Sequence, residues 1–309
     1  MPRSLTKPQA RPLQRFPIAA LELWHLASLD APTVAVVWAL SFACAAGVRL
    51  PFWVPVLLAL SSWAVYVGDR LLDAHVALLS GETGNLRERH YFHWRNRKIL
   101  APLASVSACI AAGIVFAWMP LLARERNAVL AAAALAYFAR VHFRALAPMT
   151  SQAPSANHGD FRLDTPALYP CSGVRLPARI PVKELLVGIL FTAACVLPAW
   201  TRTAAASRSL LIPALLFALL AWLNCHLIES WESGRTPSRL TPTLLYLAGL
   251  LLAATRATSQ PRSAALLAAG AVSAFLLALL DQLRPRLSPV TLRTASDLVL
   301  LTPLALLIR

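Results

Sequence analysis

The sequence predicts an all-α membrane protein, a bundle of about nine transmembrane helices. Three observations carry that expectation. Hydrophobic residues make up 58% of the chain and charged residues only 14%, where a soluble domain carries about a quarter charged residues. The mean hydropathy is +0.59. The apolar residues fall in repeated runs long enough to cross a hydrocarbon core, which takes about 20 residues at 1.5 Å each. Nothing alternates as a barrel strand would, so helices must satisfy the backbone within lipid.

The first 31 residues stand apart. Arg3, Lys7, Arg11 and Arg15 precede a short apolar patch that ends at His25 and Asp30, with no small-residue cleavage pattern of a secretory signal. The stretch FPIAALELWHLASL reads as an amphipathic lead-in helix at the interface. Residues 32–309 then form the transmembrane domain, with runs at roughly 32–49, 51–69, 99–121, 127–146, 183–200, 209–228, 241–256, 263–281 and 290–308. Two connections are long. RERHYFHWRNRK, residues 87–98, mixes cations and aromatics as a headgroup-level helix does, and the same cations suit a ligand's phosphates. Residues 150–179 are rich in Pro, Ser and Gly without a periodic apolar face, as expected of a disordered linker.

Lys and Arg set the orientation. With the N-terminus inside, 21 of the 29 lie on the inner face and 8 on the outer, a positive-inside bias for a multi-pass protein of the cell (inner) membrane with a cytoplasmic N-terminus. The net charge of +15 therefore describes a membrane face touching lipid headgroups rather than a nucleic-acid groove. The five cysteines form no CxxC pair; Cys44, Cys109, Cys195 and Cys225 lie in apolar runs, as small core residues do.

The chemistry concentrates where apolar runs end. Asp69 and Asp73 are spaced i,i+4 and share one helical face at the end of the second run. Either they are solvated, with Arg70 and Arg87 as partners, or a divalent cation sits beside them; Mg²⁺ binds through one or two carboxylates plus substrate phosphates. The sixth run ends in WLNCHLIESWE, which brings Asn224, Glu229 and Glu232 to the same inner face, with His226 spaced to pair with Glu229. Arg293 and Asp297, also i,i+4, are set to pair with each other, and Asp281 sits beside Arg284 and Arg286. Arg140 ends the fourth run and Lys183 begins the fifth; cations at that depth can hold a diphosphate or anchor the helices.

With these residues in view, the chain resembles the UbiA superfamily of intramembrane prenyltransferases over most of its length. VYVGDRLLD (65–73) fits the second half of the family's NDxxDxxxD motif through Asp69 and Asp73, with Arg70 after the first; Val65 and Tyr66 stand where Asn and Asp lead it. In the second motif Asn224, Ile228 and Glu232 take three aspartate positions, and Glu229 lies one residue out of register. KELLVGILF (183–191) and LRTASDLVLLTP (292–303) also look family-like. The resemblance implies Mg²⁺ held by Asp69, Asp73, Glu229 and Glu232 as the catalytic acidic set, with Arg70, Arg140, Lys183 and Asn224 on the substrate. It implies transfer of a prenyl group from a prenyl diphosphate to an aromatic or lipid-soluble acceptor. Two alternatives stay open: a non-catalytic lipid- or partner-binding protein of the same fold, and a transporter.

Overall fold

The structure, a computed structural model, describes residues 16–80, 87–146, 182–202, 206–232 and 240–308. Every regular element in them is helical: α1 (Phe16–Leu26), α2 (Asp30–Ala45), α3 (Trp53–Ser80), α4 (Glu88–Arg95), α5 (Arg97–Trp118), α6 (Leu121–Leu146), α7 (Val182–Trp200), α8 (Ala206–Glu232), α9 (Leu240–Ala257), α10 (Pro261–Leu283) and α11 (Pro289–Val299), with short 3₁₀ helices at Arg284–Arg286 and Thr302–Leu306. The 150–179 segment and the first 15 residues lie outside the described part.

Six helices are long and apolar enough to cross a membrane, and seven if a bent pair counts as one span. The nine expected runs therefore need correction at three places. The first run, α2, has 16 residues and reaches spanning length only together with the end of α1, which meets it at 87°. The fourth forms α6, but its apolar stretch from Ala128 to Ala139 is bounded by Asn127 and Arg140, leaving about 18 Å of apolar helix by the usual rise. The ninth breaks: α11 stops at Val299 and a 3₁₀ helix follows.

That break is built into the packing. Pro303 brings no N–H to continue an α-helix, so carbonyls near the end of α11 must find other partners. Leu300 O accepts from Trp38 Nε1 at 2.8 Å, and Val299 O accepts from Ser273 Oγ at 2.9 Å. Thr302 Oγ1 in turn donates to Ala269 O at 2.8 Å. Backbone groups freed by such a break need partners from the protein, and α2 and α10 supply them here.

The main core joins α2, α7, α8, α9 and α10. Its centre is aromatic: Trp38 stacks on Phe217 with ring centroids 3.8 Å apart, and Phe42 meets Phe217 edge-on at 5.7 Å. A smaller cluster of Val67, Leu100 and Ala104 ties α3 to α5. Helices in lipid gain little from hydrophobic exclusion and rely on close approach at small residues. Gly188 of α7 is such a point, because a Cβ there would lie 2.9 Å from Trp222 N and 3.2 Å from Ala218 O of α8. The obstructing atoms are backbone and cannot swing aside. Gly188→Ala is expected to cost about 1–3 kcal/mol through forced separation of α7 and α8, read as a lower unfolding midpoint in detergent micelles. An unchanged midpoint would mean the two helices slide freely.

Candidate functional site

Asp73 of α3, Glu229 and Glu232 of α8, Asp30 at the start of α2, and Arg293 and Asp297 of α11 are linked through α4 and the α1–α2 corner. The corner between α1 and α2 is sharp because Ser28 adopts φ 57°, a left-handed conformation costly for a residue with a Cβ. Glycine would fit that backbone more easily, but the Ser28 hydroxyl is in use. It accepts from Arg70 Nε at 3.0 Å and faces His93 Nε2 at 3.3 Å, while His93 Nδ1 donates to Arg89 O at 2.8 Å. With Nδ1 carrying the proton, Nε2 is free to accept from Ser28. One buried serine thus locks Arg70 of α3 to α4 through a histidine of fixed tautomer.

Helix α4 bridges the two acidic helix ends. On one side His90 Nε2 lies 3.6 Å from Asp73 Oδ2. On the other, Arg87 donates to Glu229 Oε2 at 3.0 Å and also pairs with Glu232. Arg89 and Arg293 both donate to Glu232 Oε1, at 3.0 and 2.8 Å. Three guanidinium groups, from Arg87 just before α4, Arg89 within it and Arg293 of α11, therefore converge on one carboxylate. Arg293 does not take Asp297 as its hydrogen-bonded partner, as the i,i+4 spacing suggested; it reaches across to α8.

Asp297 instead faces a pair that sequence reasoning missed. His25 Nδ1 donates to Asp30 Oδ2 at 2.6 Å and lies 3.6 Å from Asp297 Oδ2. Potential ligand atoms of these three residues all fall within 4.8 Å, the one such His/Cys/Asp/Glu group among the described residues. The three come from α1, α2 and α11, and no local spacing announces a cluster assembled from both ends of the chain.

The remaining expected residues fall as follows. Asp69 and Asp73 are half-buried on α3. Asn224 is buried with Oδ1 lacking a hydrogen-bond partner, and His226 stacks on Trp222 rather than bonding Glu229, its Nδ1 likewise unpartnered. Lys183 is exposed at the start of α7. Arg140 lies on α6, with its side chain outside the described part. Asp281 accepts from Trp231 Nε1 at 2.9 Å and Thr241 Oγ1 at 2.6 Å, a tie among α8, α9 and α10.

His90 and His93 on α4 are both pushed down to about 4, first by burial and then by the Arg70 charge, with Arg87 adding to it at His90. Both rings are therefore neutral near pH 7, and α4 presents its arginines as the cations of the layer. The residues fit a metal unevenly. Asp69 and Asp73, on one face of α3 and partly open, suit a hard cation that shares its shell with substrate phosphates. Glu232, already surrounded by three arginines, suits an anion's partners and not a cation's. Compared with family models, curated proteins and solved structures, the chain finds no match in any of the three.

Proposed function

We propose that this protein is an integral membrane prenyltransferase of UbiA-like type. In this reading nine of its elements lie in the membrane, the six long spans together with α2, α6 and the α11–3₁₀ pair, and its N-terminus is cytoplasmic. The observation that carries the reading is the placement of α4 and the preceding Arg87 between the acidic residues of α3 and the acidic end of α8, with His90 packed near Asp73 and Arg87 bonded to Glu229. Such a layer suits a substrate with a highly charged head and an apolar tail: the head meets carboxylates and guanidinium groups, and the tail lies among the helices.

In the proposed reaction the donor's allylic C–O bond breaks and its electron pair leaves on the diphosphate. The acceptor's electrons then form the new bond to the allylic carbon, and the acceptor gives up a proton. Mg²⁺ held by Asp69 and Asp73 would neutralise charge on the leaving group. Arg70, fixed by Ser28 and buried, supplies a preorganised cation in the same region at no reorganisation cost. The apolar walls keep water from the allylic cation. Lys183, at the start of α7, would be a further diphosphate contact, the resemblance adds Arg140 of α6, and Asn224 brings a buried oxygen without a hydrogen-bond partner.

Membranes containing the protein, incubated with labelled prenyl diphosphate, Mg²⁺ and a lysate as acceptor source, are expected to form labelled lipid product. Asp73→Ala is expected to lower that transfer at least tenfold. A second reading, a non-catalytic lipid-binding protein of the same fold, is favoured by the arginine saturation of Glu232. Absence of Mg²⁺-dependent transfer, with the variant and wild type alike, would put that second reading first; flux into proteoliposomes without product would point to a transporter.

A further inference from the structure

We infer that Arg87, Arg89 and Arg293 form a metal-independent site for a phosphate or diphosphate group, and that Glu232 is the internal anion that fills it when no ligand is bound. Glu232 accepts from Arg89 and Arg293 through one oxygen, Oε1, and meets Arg87 as well. Glu232 and, on Arg87, Glu229 set two carboxylates against three positive charges, and their four oxygens offer fewer acceptor positions than three guanidinium forks can use. Unpartnered atoms remain on both sides of the cluster, because Glu232 Oε2, although close to Arg87, makes no well-directed hydrogen bond. Arg89, only 9% exposed, and Arg293 each keep a buried Nε–H with no hydrogen-bond partner. Buried donors left unpaired cost free energy, and a site that retains two of them on converging arginines is shaped for a ligand with more oxygens.

A phosphate ester meets that requirement. Each phosphate offers several anionic oxygens, which planar guanidinium groups engage in pairs. The route in is the side where Arg87 is 33% and Glu229 44% exposed at their side chains. Arrival of the ligand exchanges Glu232 for phosphate oxygens on the same arginines, and Glu229 keeps its place on Arg87 or yields with it. In this arrangement Glu232 competes with the ligand. That is opposite in sign to the metal-ligand role the resemblance implies for the same residue. Assigning the occupant as the donor's diphosphate rests on the proposed function; the anion site itself does not.

The test uses purified full-length protein in micelles with EDTA present, titrated with inorganic pyrophosphate and followed by the thermal shift of its nine tryptophans. Pyrophosphate is expected to stabilise the wild type without metal. Glu232→Gln is expected to tighten apparent affinity threefold to tenfold, and the partly exposed Arg87→Gln, the safer variant to fold, to weaken it by a similar factor. A second arm compares nanodiscs of phosphatidylcholine with nanodiscs containing phosphatidic acid. Loss of the pyrophosphate shift only in the latter supports the same site with a lipid headgroup as its source; an undiminished shift supports the free diphosphate. Absence of stabilisation by either, or weaker binding in Glu232→Gln with binding that requires Mg²⁺, overturns the inference and leaves the proposed transfer standing. Metal-free binding without prenyl transfer does the reverse.

Discussion

Asp30→Ala is expected to destabilise the protein by about 3–5 kcal/mol, the cost of removing one partner from a buried charge pair. Asp30 is 3% exposed, and its carboxylate does several things at once. It accepts from His25 Nδ1 at 2.6 Å, and its other oxygen accepts from the backbone N–H of Ala31 at 2.9 Å, at the start of α2. Arg70 and Arg293 lie within electrostatic reach of this corner, so its loss also removes a counter-charge from two cations. Asp297, 3.6 Å from His25, can approach the imidazole, which places the expected cost toward the lower part of the range. His25→Ala in the same background should restore part of the loss, because the stranded imidazole is then gone; the double-mutant cycle isolates the pair. Equilibrium unfolding in micelles measures both. A cost under about 1 kcal/mol for Asp30→Ala would show that the corner is solvated and that the triad holds nothing.

That corner marks the boundary of what the sequence discloses. The membrane class follows from run length and composition, since both measure how much backbone can be placed in lipid, and the structure bears it out with six to seven spans. One helix end was legible: Glu229 and Glu232 sit where α8 stops, whereas α3 runs on to Ser80, past Asp69 and Asp73, where the apolar run had suggested an end near residue 69. Run length says less about continuity. Residues 290–308 are as apolar as a span, yet Trp38 and Ser273 offer donors that make a break affordable, and those residues lie more than 20 positions away. Partners across the bundle were illegible for the same reason. Arg293 and Asp297 share a helix face, which made pairing plausible, but Glu232 on α8 and His25 on α1 compete successfully for them. Spacing ranks the neighbours on one helix; it is silent about which neighbour another helix will supply.

Acid should weaken the protein over a defined window, and the two histidines of α4 set it. In the folded chain His90 and His93 are held at about 4, whereas an unfolded histidine titrates near 6.5. Above pH 6.5 both states are neutral at these rings and stability does not change. Between 6.5 and 4 the unfolded chain binds protons that the folded chain refuses, so stability falls as pH falls. At 1.36 kcal/mol per unit the loss is roughly 3 kcal/mol for each ring. The groups around them act in both directions: Arg70 and Arg87 oppose protonation of His90 while Asp69 and Asp73 favour it, and Arg70 and His25 oppose protonation of His93 while Asp30 favours it. Burial is the largest cause at both, so the window should persist at high salt. His90→Gln/His93→Gln removes the titrating groups and should flatten the pH profile between 6.5 and 4, even though it lowers stability at pH 7 by breaking the Ser28 and Arg89 contacts. Unfolding free energies measured across pH 4–8 in micelles check this. A profile equally steep in the double variant would assign the acid response to the carboxylates of α3 and α8 instead, and α4 would then be a bridge with no part in it.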